Sequence, residues 1–400
     1  MYFGRNIMNN NKNINVLFYR YNSICEPIYI NALTALGINV IEETTELTQK
    51  DISSEAVIDN VKSILNTHSV LFVISINYYP VLSAVCNIYH IPYISIIVDS
   101  PVLELYSDTV KNPYNRIFIF DRALYNQHKA SNPDCIFHMP LCSDITHIDN
   151  VLLNNKNLYS AYSSDISFIG SLYTEKCPYN KVKNLPPYIK GYFDGIIDCQ
   201  LKIYGSNLIY DMLSDDMVNE FMKFEKIYSF PEKATKDNKA VIAYNYLSIK
   251  VSEQERIQLL RSLSESFNLD IYTGSDTSVM PKAHNKGFAK SLTEMPLIFH
   301  NSKINLQITA RTIETGLSQR VWDVLSAGGF LLMNYQEELF DYFEPGTDLD
   351  FFGSEEELSD KASFYLKNDD LRKRIALNGK EKITKHHSSL SRINEIISKI

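Results

Sequence analysis

The chain has 400 residues, of which 45% are hydrophobic, and carries a formal net charge of -8 at pH 7. This length exceeds what one hydrophobic core usually supports, so the sequence predicts two globular domains. Nucleic acids and anionic membranes are bound through clustered lysine and arginine, and the acidic balance therefore argues against either as the main partner. An anionic ligand would have to meet a local basic pocket.

The six cysteines are scattered without a Cys-x-x-Cys pair, which fits neither a disulfide framework nor a zinc site. We therefore expect a reducing, cytoplasmic location. The N-terminal stretch MYFGRNIMNNNKNIN lacks the apolar centre of a secretory signal. The most apolar region, residues 70–98, is interrupted by asparagine, histidine and proline, so we predict no membrane span.

Short apolar runs alternate with helix-like segments over the first 150 residues. INVLFYRY, VLFVISI, YISIIVDSP and RIFIFD have the character of strands, whereas EPIYINALTALG and YPVLSAVCNIYH have helical spacing, the first with Gly37 as a C-cap. Continuously apolar strands that alternate with helices predict a parallel sheet covered on both faces. We assign residues 1–150 to an N-terminal domain, followed by a polar interdomain connection that runs to Ser164.

The same alternation recurs in the second half, where DISFIGS, LDIYTGS, INLQIT and GFLLMN are predicted strands. A mostly helical insertion, about 176–268, separates the first two. The C-terminal stretch is predicted to be helical, with Ser354 and Glu357 as a capping box and a final helix that can pack back on the N-terminal domain. Residues 151–400 thus form a second doubly wound α/β domain. Ligands of such sheets bind outside the carboxyl ends of the strands.

The segment GLSQRVWDVLSAGGFLLMNY joins a loop, a helix and a strand over residues 316–335. A helix N-terminus offers unpaired amides and the positive end of its dipole, so the loop from Thr315 to Gln319 predicts a diphosphate cradle, with Gly316 allowing close approach. Arg320 can bind a phosphate with paired donors, and Asp323 can accept hydrogen bonds from a ribose. The alternative is an exposed Arg320–Asp323 ion pair worth about 0.2–0.5 kcal/mol.

These residues resemble a known family. The run SKINLQITARTIETGLSQRVWDVLSAGGFLLMNY and its continuation to Leu358, together with DISFIGSLY, LFYRYNSICEP and YISIIVDSP, resemble the CgeB-like, spore-maturation type of glycosyltransferase. The resemblance implies a GT-B fold, with two Rossmann-like domains facing a cleft and a nucleotide-activated sugar held by the C-terminal domain. The chain departs from the family pattern at Gln307 (usually Asn), Ser318 (usually Pro) and Trp322 (usually Phe).

We select candidate catalytic and binding residues from the loops that follow the strands and from the family resemblance. Glu314 is a candidate for contacting the donor sugar, although it lies one residue away from the usual spacing to Asp323 and a solvated loop residue is the alternative. Asp99 could be a general base, or it could cap the next helix. The predicted catalytic residues are Asp99, Glu314 and Arg320; the acceptor-side residues are Arg20, Tyr21 and Asp99; and the donor-binding residues are Gly170, Ser171, Arg311, Thr315, Gly316, Ser318, Gln319, Arg320 and Asp323.

Two of these donor-site predictions have structural alternatives. Arg311 could instead form a salt bridge, and Gly170 with Ser171 could form a simple turn. The pair Asp348-x-Asp350 resembles the metal-binding acids of the other glycosyltransferase fold, but it lies in a predicted turn of a GT-B-like chain, so we predict no metal site.

The predicted function is metal-independent transfer of a sugar from a nucleotide donor to a hydroxyl acceptor. We expect no cofactor. The co-substrate would be a nucleotide sugar, linked to UDP. The acceptor would be a protein serine or threonine, such as on a surface or flagellar protein, a glycan, or a small molecule. The alternatives are a sugar-nucleotide epimerase of the same fold and a non-catalytic coat or scaffold protein.

Overall fold

The computed structural model describes residues 14–230 and 234–400. The Asn-rich N-terminal stretch, in which we predicted no secretory signal, lies almost entirely outside the described residues. Contacts divide the described chain into two compact units. The first unit comprises residues 14–144, 234–235 and 385–400, and the second comprises residues 145–230 and 236–384.

The first unit is built on six parallel strands in the order β2-β1-β3-β4-β5-β6. Alternate strand residues fill apolar cores on the two faces, with Leu17 and Tyr19 on one and Val16 and Phe18 on the other. The strands are β1 Asn15–Tyr19, β2 Asn39–Glu43, β3 Val70–Ile76, β4 Tyr93–Ile97, β5 Asn115–Ile119 and β6 Ile136–His138. The α-helices are Glu26–Ala35, Thr45–Thr48, Ser54–Thr67, Pro80–Tyr89, Arg122–His128 and Ser389–Ile397, and the 3-10 helices are Leu103–Tyr106, Asp108–Lys111 and Lys129–Ser131.

The predicted strands and helices of this unit are present, and the helix Glu26–Ala35 is followed by Gly37 with a φ of 76°, a conformation that favours glycine. The strands β2 and β6 were not predicted. β2 lies at the edge of the sheet and leaves most of its side chains partly or fully exposed, so its sequence NVIEE lacks an apolar run.

The second unit also has six parallel strands, in the order β12-β11-β10-β7-β8-β9. Its strands are β7 Ser164–Ile169, β8 Leu269–Tyr272, β9 His284–Asn285, β10 Ser302–Gln307, β11 Leu331–Asn334 and β12 Asp350–Phe352. Its α-helices are Ile145–Asn154, Pro187–Gln200, Ile209–Met212, Asp215–Phe221, Asn238–Ala240, Ile249–Ser266, Met295–Asn301, Gln319–Ser326, Leu339–Tyr342, Glu355–Lys367 and Asp369–His386, the last ending in the first unit. Two 3-10 helices, Lys156–Tyr162 and Pro178–Lys181, and the π-helix Val241–Ser248 complete it.

The division between the units differs in detail from the predicted boundary at residue 150. The predicted polar connection is helical and belongs to the second unit, which begins at Ile145. The final helix Ser389–Ile397 belongs to the first unit, where it packs against Glu26–Ala35 and buries Ile393 and Ile396 in the core. Among the described helices, none is both long and apolar enough to cross a membrane.

Each sheet has a switch point, where the strand order reverses and the loops leave the sheet in opposite directions. It lies between β1 and β3 in the first sheet and between β7 and β10 in the second. Ligands of doubly wound sheets bind at this point, outside the carboxyl ends of the strands. We call the carboxyl ends of β1–β4 and their following loops, residues 19–26, 42–50, 75–80 and 97–101, the first edge. The second edge is residues 168–175, 271–275, 306–323 and 333–338, the corresponding ends of β7, β8, β10 and β11.

Candidate functional site

The helix Gln319–Ser326 begins at the second edge, directly after the loop that follows β10. Ser318 is its N-cap, with extended backbone, and its Oγ accepts a hydrogen bond from Gln307 Nε2 at 3.1 Å. Gln307 and Ser318 are two of the positions at which the chain departs from the family pattern. Because they contact each other, they join the end of β10 to the start of the helix.

The loop before this helix is tied to the loop after β11. Thr315 Oγ1 donates to Glu338 Oε1 at 2.7 Å, and the Glu338 amide donates to the Thr315 carbonyl at 3.0 Å. The Gln336 side chain donates to the Gly316 carbonyl at 3.0 Å. These bonds fix the backbone of the predicted diphosphate cradle before any ligand binds.

Arg320 and Asp323 lie in the first and second turns of the helix. The Arg320 guanidinium lies 5.2 Å from the centre of the Phe299 ring, and Gln319 Nε2 donates to Asp323 Oδ1 at 2.9 Å. Burial raises the pKa of Asp323 above its ordinary value, although the charge of Arg320 and the hydrogen bond from Gln319 oppose this. The helix N-terminus therefore combines main-chain amides, a cation and a hydrogen-bond acceptor within two turns.

Arg311 has the structural role that the sequence left open. Its Nε and Nη2 donate to the two carboxylate oxygens of Glu255 at 2.9 and 2.7 Å, and Nη1 donates to the Ile203 carbonyl at 2.8 Å. Its guanidinium also lies over the Tyr204 ring. Because these buried contacts occupy the guanidinium, the structure favours an anchor of the loop after β10 over the predicted phosphate ligand.

Arg256, which was not among the predicted site residues, bridges the switch point of the second sheet. Its Nη1 donates to the Ser171 carbonyl after β7 at 2.6 Å, and its Nη2 donates to the Ile308 carbonyl after β10 at 2.6 Å. A Cβ atom on Gly170 would lie only 3.3 Å from the Phe168 ring and 3.5 Å from Arg256 Nη1. The absence of a side chain at Gly170 therefore mainly avoids crowding of the Phe168 ring. No motif marks Arg256, since its partners are main-chain carbonyls distant in sequence.

The loop after β7 already holds a carboxylate. Ser171 Oγ donates to Glu175 Oε1 at 2.8 Å and accepts a bond from the Tyr173 amide. Burial alone would raise the pKa of Glu175, but hydrogen bonds from its own amide and from Ser171, Ser275 and Thr174 lower it to about 2. The Ser171 side chain, a predicted donor ligand, is therefore engaged with an ionised group of its own loop.

Glu314 contacts an aromatic pair rather than lying free in its loop. The hydroxyl of Tyr244, in the π-helix Val241–Ser248, donates a hydrogen bond to Glu314 Oε1 at 3.1 Å. Its ring stacks on that of Tyr210, with centres 6.2 Å apart and planes 15° apart. π-helical turns often occur at functional sites, so this arrangement is consistent with a role for Glu314 beyond that of a solvated residue.

At the first edge, Asn77 connects the loops after β1, β3 and β4. Its Nδ2 donates to the Tyr21 hydroxyl at 3.0 Å and to Asp99 Oδ2 at 2.7 Å. Asn77 has a φ of 55°, and Asp99 is exposed. The next helical turn, Leu103–Tyr106, has Val102 as its N-cap, so Asp99 does not have the capping role that was the alternative. No local sequence pattern marks Asn77, because its partners follow other strands.

Arg20, predicted on the acceptor side, is held in ion pairs. Its Nε donates to the buried Glu26 at 3.0 Å, and its Nη1 contacts Glu42. Glu26 also accepts a hydrogen bond from the Tyr21 amide at 2.8 Å. Arg20 and Glu26 thus shape the turn that carries Tyr21, and the guanidinium charge is balanced at the edge itself.

The acids Asp348 and Asp350 are engaged separately. Asp348 accepts from Lys382 Nζ at 2.6 Å, whereas Asp350 accepts from Lys361 Nζ at 3.0 Å and from the Tyr365 hydroxyl at 2.7 Å. Both acids are buried. Within residues 14–230 and 234–400, no group of three or more histidine, cysteine or acidic side chains is arranged to hold a metal ion.

Residues 256–398 match a family model described as glycosyl transferase-like. The match includes residues 271–275, 306–323 and 333–338 of the second edge and covers less than half of the chain. No curated protein matches the sequence.

Solved structures share the fold over nearly the full chain. The sucrose-phosphate synthase of Thermosynechococcus elongatus has a TM-score of 0.55 at 7% identity, with 96% of this chain and 98% of that chain covered. A UDP-GlcNAc 2-epimerase from Neisseria meningitidis, bound to UDP-GlcNAc, has a TM-score of 0.51 at 9% identity, covering 97% and 100%. A glycosyltransferase from Rickettsia africae has a TM-score of 0.50 at 10% identity, covering 97% and 98%. These similarities and the two parallel sheets confirm the predicted α/β GT-B fold.

Proposed function

We propose that this chain is a glycosyltransferase of the CgeB-like type, which moves a sugar from a nucleoside diphosphate to a hydroxyl acceptor without an essential metal. The observation that carries the proposal is the N-terminus of helix Gln319–Ser326, which begins at the second edge with Arg320 in its first turn. The match of residues 256–398 to a glycosyl transferase-like family supports it. The CgeB-like assignment depends on the sequence resemblance.

The second edge would bind the donor. Helix amides and Arg320 would hold the diphosphate, Asp323 would accept from the ribose, and Glu314 would contact the sugar. The loop bonds from Thr315 and Gln336 favour this role, because a cradle fixed in advance loses little conformational entropy on binding. A UDP-linked donor is supported by the Neisseria epimerase of the same fold, which binds UDP-GlcNAc.

The chemistry requires an acceptor oxygen to attack the anomeric carbon. The bond from that carbon to the diphosphate oxygen breaks, and its electron pair leaves with the nucleoside diphosphate. The helix amides and Arg320 would stabilise the charge that develops on this leaving group. If the configuration is inverted, the exposed Asp99 carboxylate would take the proton of the acceptor hydroxyl.

A sugar-nucleotide epimerase is the second candidate, favoured by the shared fold of the Neisseria enzyme. The test is a thermal-shift screen of sugar nucleotides, followed by chromatography of the best donor after incubation with the chain. A glycosyltransferase releases nucleoside diphosphate and free or transferred sugar. An epimerase converts the donor into a second sugar nucleotide, and a scaffold leaves it unchanged. Either of the last two results contradicts the proposal.

A cytoplasmic location is also proposed, because all six cysteines are free.

A further inference from the structure

Three tyrosine rings form a cluster at the switch point of the first sheet. The ring of Tyr19 meets that of Tyr79 edge-on, with centres 4.9 Å apart, and the ring of Tyr21 lies 5.8 Å from that of Tyr79. Tyr19 is fully buried, whereas Tyr21 and Tyr79 are partly exposed. We call these three rings the tyrosine platform. Tyr21 follows β1 and Tyr79 follows β3, so the platform lies where doubly wound sheets bind ligands.

Hydrogen bonds hold the platform in place. Asn77 fixes the Tyr21 hydroxyl and the Asp99 carboxylate, while its own Oδ1 accepts from the Val98 amide at 3.1 Å. Glu46 accepts from the Tyr19 hydroxyl at 2.6 Å. Burial, more than the charge of Glu46, raises the pKa of Tyr79 well above its ordinary value, so its hydroxyl stays neutral. The platform therefore presents neutral aromatic rings, and the carboxylates of Glu46 and Asp99 lie beside them.

The charge around the platform is negative. The first edge contains five carboxylates and two cations: Glu26, Glu42, Glu43, Glu46 and Asp99 against Arg20 and Lys50. Arg20 is paired with Glu26 and Glu42, and Lys50 Nζ donates to the Tyr21 carbonyl at 2.7 Å. A phosphate bound here would be close to like charges, with both cations already engaged, which disfavours an anionic ligand.

We propose that the tyrosine platform binds a carbohydrate without anionic groups, which is the acceptor of the transfer reaction. A sugar ring presents an apolar face that packs on aromatic rings, and its hydroxyls donate to carboxylates and amide oxygens. Asp99 lies beside the platform and could accept the proton of the reacting hydroxyl. This inference rests on the proposed function, and it narrows the acceptor from any hydroxyl compound to a glycan without anionic groups.

Saturation-transfer NMR with the full chain tests this acceptor class. The probes are neutral trisaccharides of glucose, mannose, galactose and N-acetylglucosamine, together with glucose 6-phosphate as the anionic counterpart. We expect at least one neutral trisaccharide to bind more tightly than the anionic probe. Tyr21→Ala should weaken it about tenfold through loss of ring packing, whereas Tyr21→Phe keeps the ring and should stay within about threefold.

Tyr114→Ala is the matched control, because Tyr114 precedes β5 at the opposite end of the same sheet. It should not change binding, and the melting temperature of each variant shows whether it is folded. Tighter binding of glucose 6-phosphate, no binding of any neutral trisaccharide, or equal binding by folded Tyr21→Ala would overturn the inference. A wild-type chain that releases nucleoside diphosphate from a sugar nucleotide but fails this test retains the proposed function; one that leaves every donor intact does not.

Discussion

The carboxyl edges of the two sheets have the same topology but different chemistry. Both lie at a switch point of six parallel strands. The second edge is made of a helix N-terminus, a glycine loop and the arginines Arg311 and Arg320, and the buried Arg256 donates to two of its carbonyls. The first edge is made of tyrosine rings, an asparagine and carboxylates. Fold alone therefore does not decide which ligand an edge accepts; the side chains that end the strands do.

The different side chains indicate that the two edges bind different substrates. Main-chain amides and a guanidinium favour a diphosphate, whereas rings and carboxylates favour a hydroxyl compound without anionic groups. At the second edge, Arg256 and Arg311 stabilise loops through buried bonds to carbonyls and to Glu255, and Arg320 is the residue to which we assign the ligand charge. If this division is correct, substitutions at the two edges should have separable effects.

The largest expected effect is that of Arg320→Ala. Removing the charge that stabilises the leaving diphosphate should abolish measurable donor turnover, as judged by release of nucleoside diphosphate. Arg261→Ala, an exposed arginine on helix Ile249–Ser266 of the same unit, is the control and should retain wild-type turnover. Normal turnover by a folded Arg320→Ala chain would remove the main support for the donor site.

Asp99→Asn should affect the first edge alone. We expect sugar transfer to fall by about a hundredfold or more, the scale of losing a general base, while affinity for the nucleotide stays within about twofold. Asp323→Ala should do the reverse and weaken the nucleotide first. Asp59→Asn, an exposed acid on helix Ser54–Thr67, serves as control. Normal transfer by Asp99→Asn, or a product of retained configuration by proton NMR, would show that Asp99 is not the base.

Acid should destabilise the first unit through His128. Burial lowers the pKa of His128 to about 4, and its Nε2 has no hydrogen-bond partner among the described residues. The unfolded chain takes up this proton near pH 6.5 but the folded chain only near pH 4, so stability is lost as the pH falls through that window. The loss is up to roughly 3 kcal/mol.

Chemical denaturation followed by circular dichroism between pH 4 and 7 measures this loss. His128→Leu should reduce the pH dependence, because position 128 then takes up no proton on unfolding, whereas the substitution His68→Gln at an exposed position should not. The single tryptophan, Trp322, lies in the second unit, so its fluorescence reports that unit separately. An unchanged pH dependence in His128→Leu would mean that His128 is not responsible.

The smallest expected effect is that of a chelator. If Arg320 and the helix amides carry the leaving-group charge, activity in excess EDTA should equal that without it. Asp348 and Asp350 each pair with a lysine, so substituting either should lower the melting temperature rather than reveal a metal requirement. Loss of activity in EDTA that manganese or magnesium restores would contradict this.

The sequence predicted those features that depend on local patterns. Apolar runs identified the central strands, and the change from polar loop to helix identified the start of Gln319–Ser326 to within a residue. Edge strand β2 was missed because an exposed strand needs no apolar run. The roles of Arg256 and Asn77 could not be predicted, because each depends on partners brought close only by the sheet topology.

Arg311 is a residue for which the sequence pattern predicted a ligand role, whereas the structure shows a structural one. Its position in the loop after β10 fits a ligand residue, and only the packing of helix Ile249–Ser266 reveals that Glu255 is its partner. Gln307 and Ser318 are both unusual residues for the family that the sequence resembles. The structure shows that they form a hydrogen bond with each other, which the sequence does not reveal.

The most direct test of the division between the edges is calorimetric titration of UDP and of uridine into the wild-type chain and the Arg320→Ala variant. A charge-assisted bond to a phosphate is worth about 1.5–3 kcal/mol, so the variant should bind UDP about ten- to a hundredfold more weakly. Its affinity for uridine, which lacks phosphates, should change less than about twofold. Equal losses for both ligands, or no loss for UDP, would contradict the assignment of Arg320 and the helix N-terminus to the diphosphate.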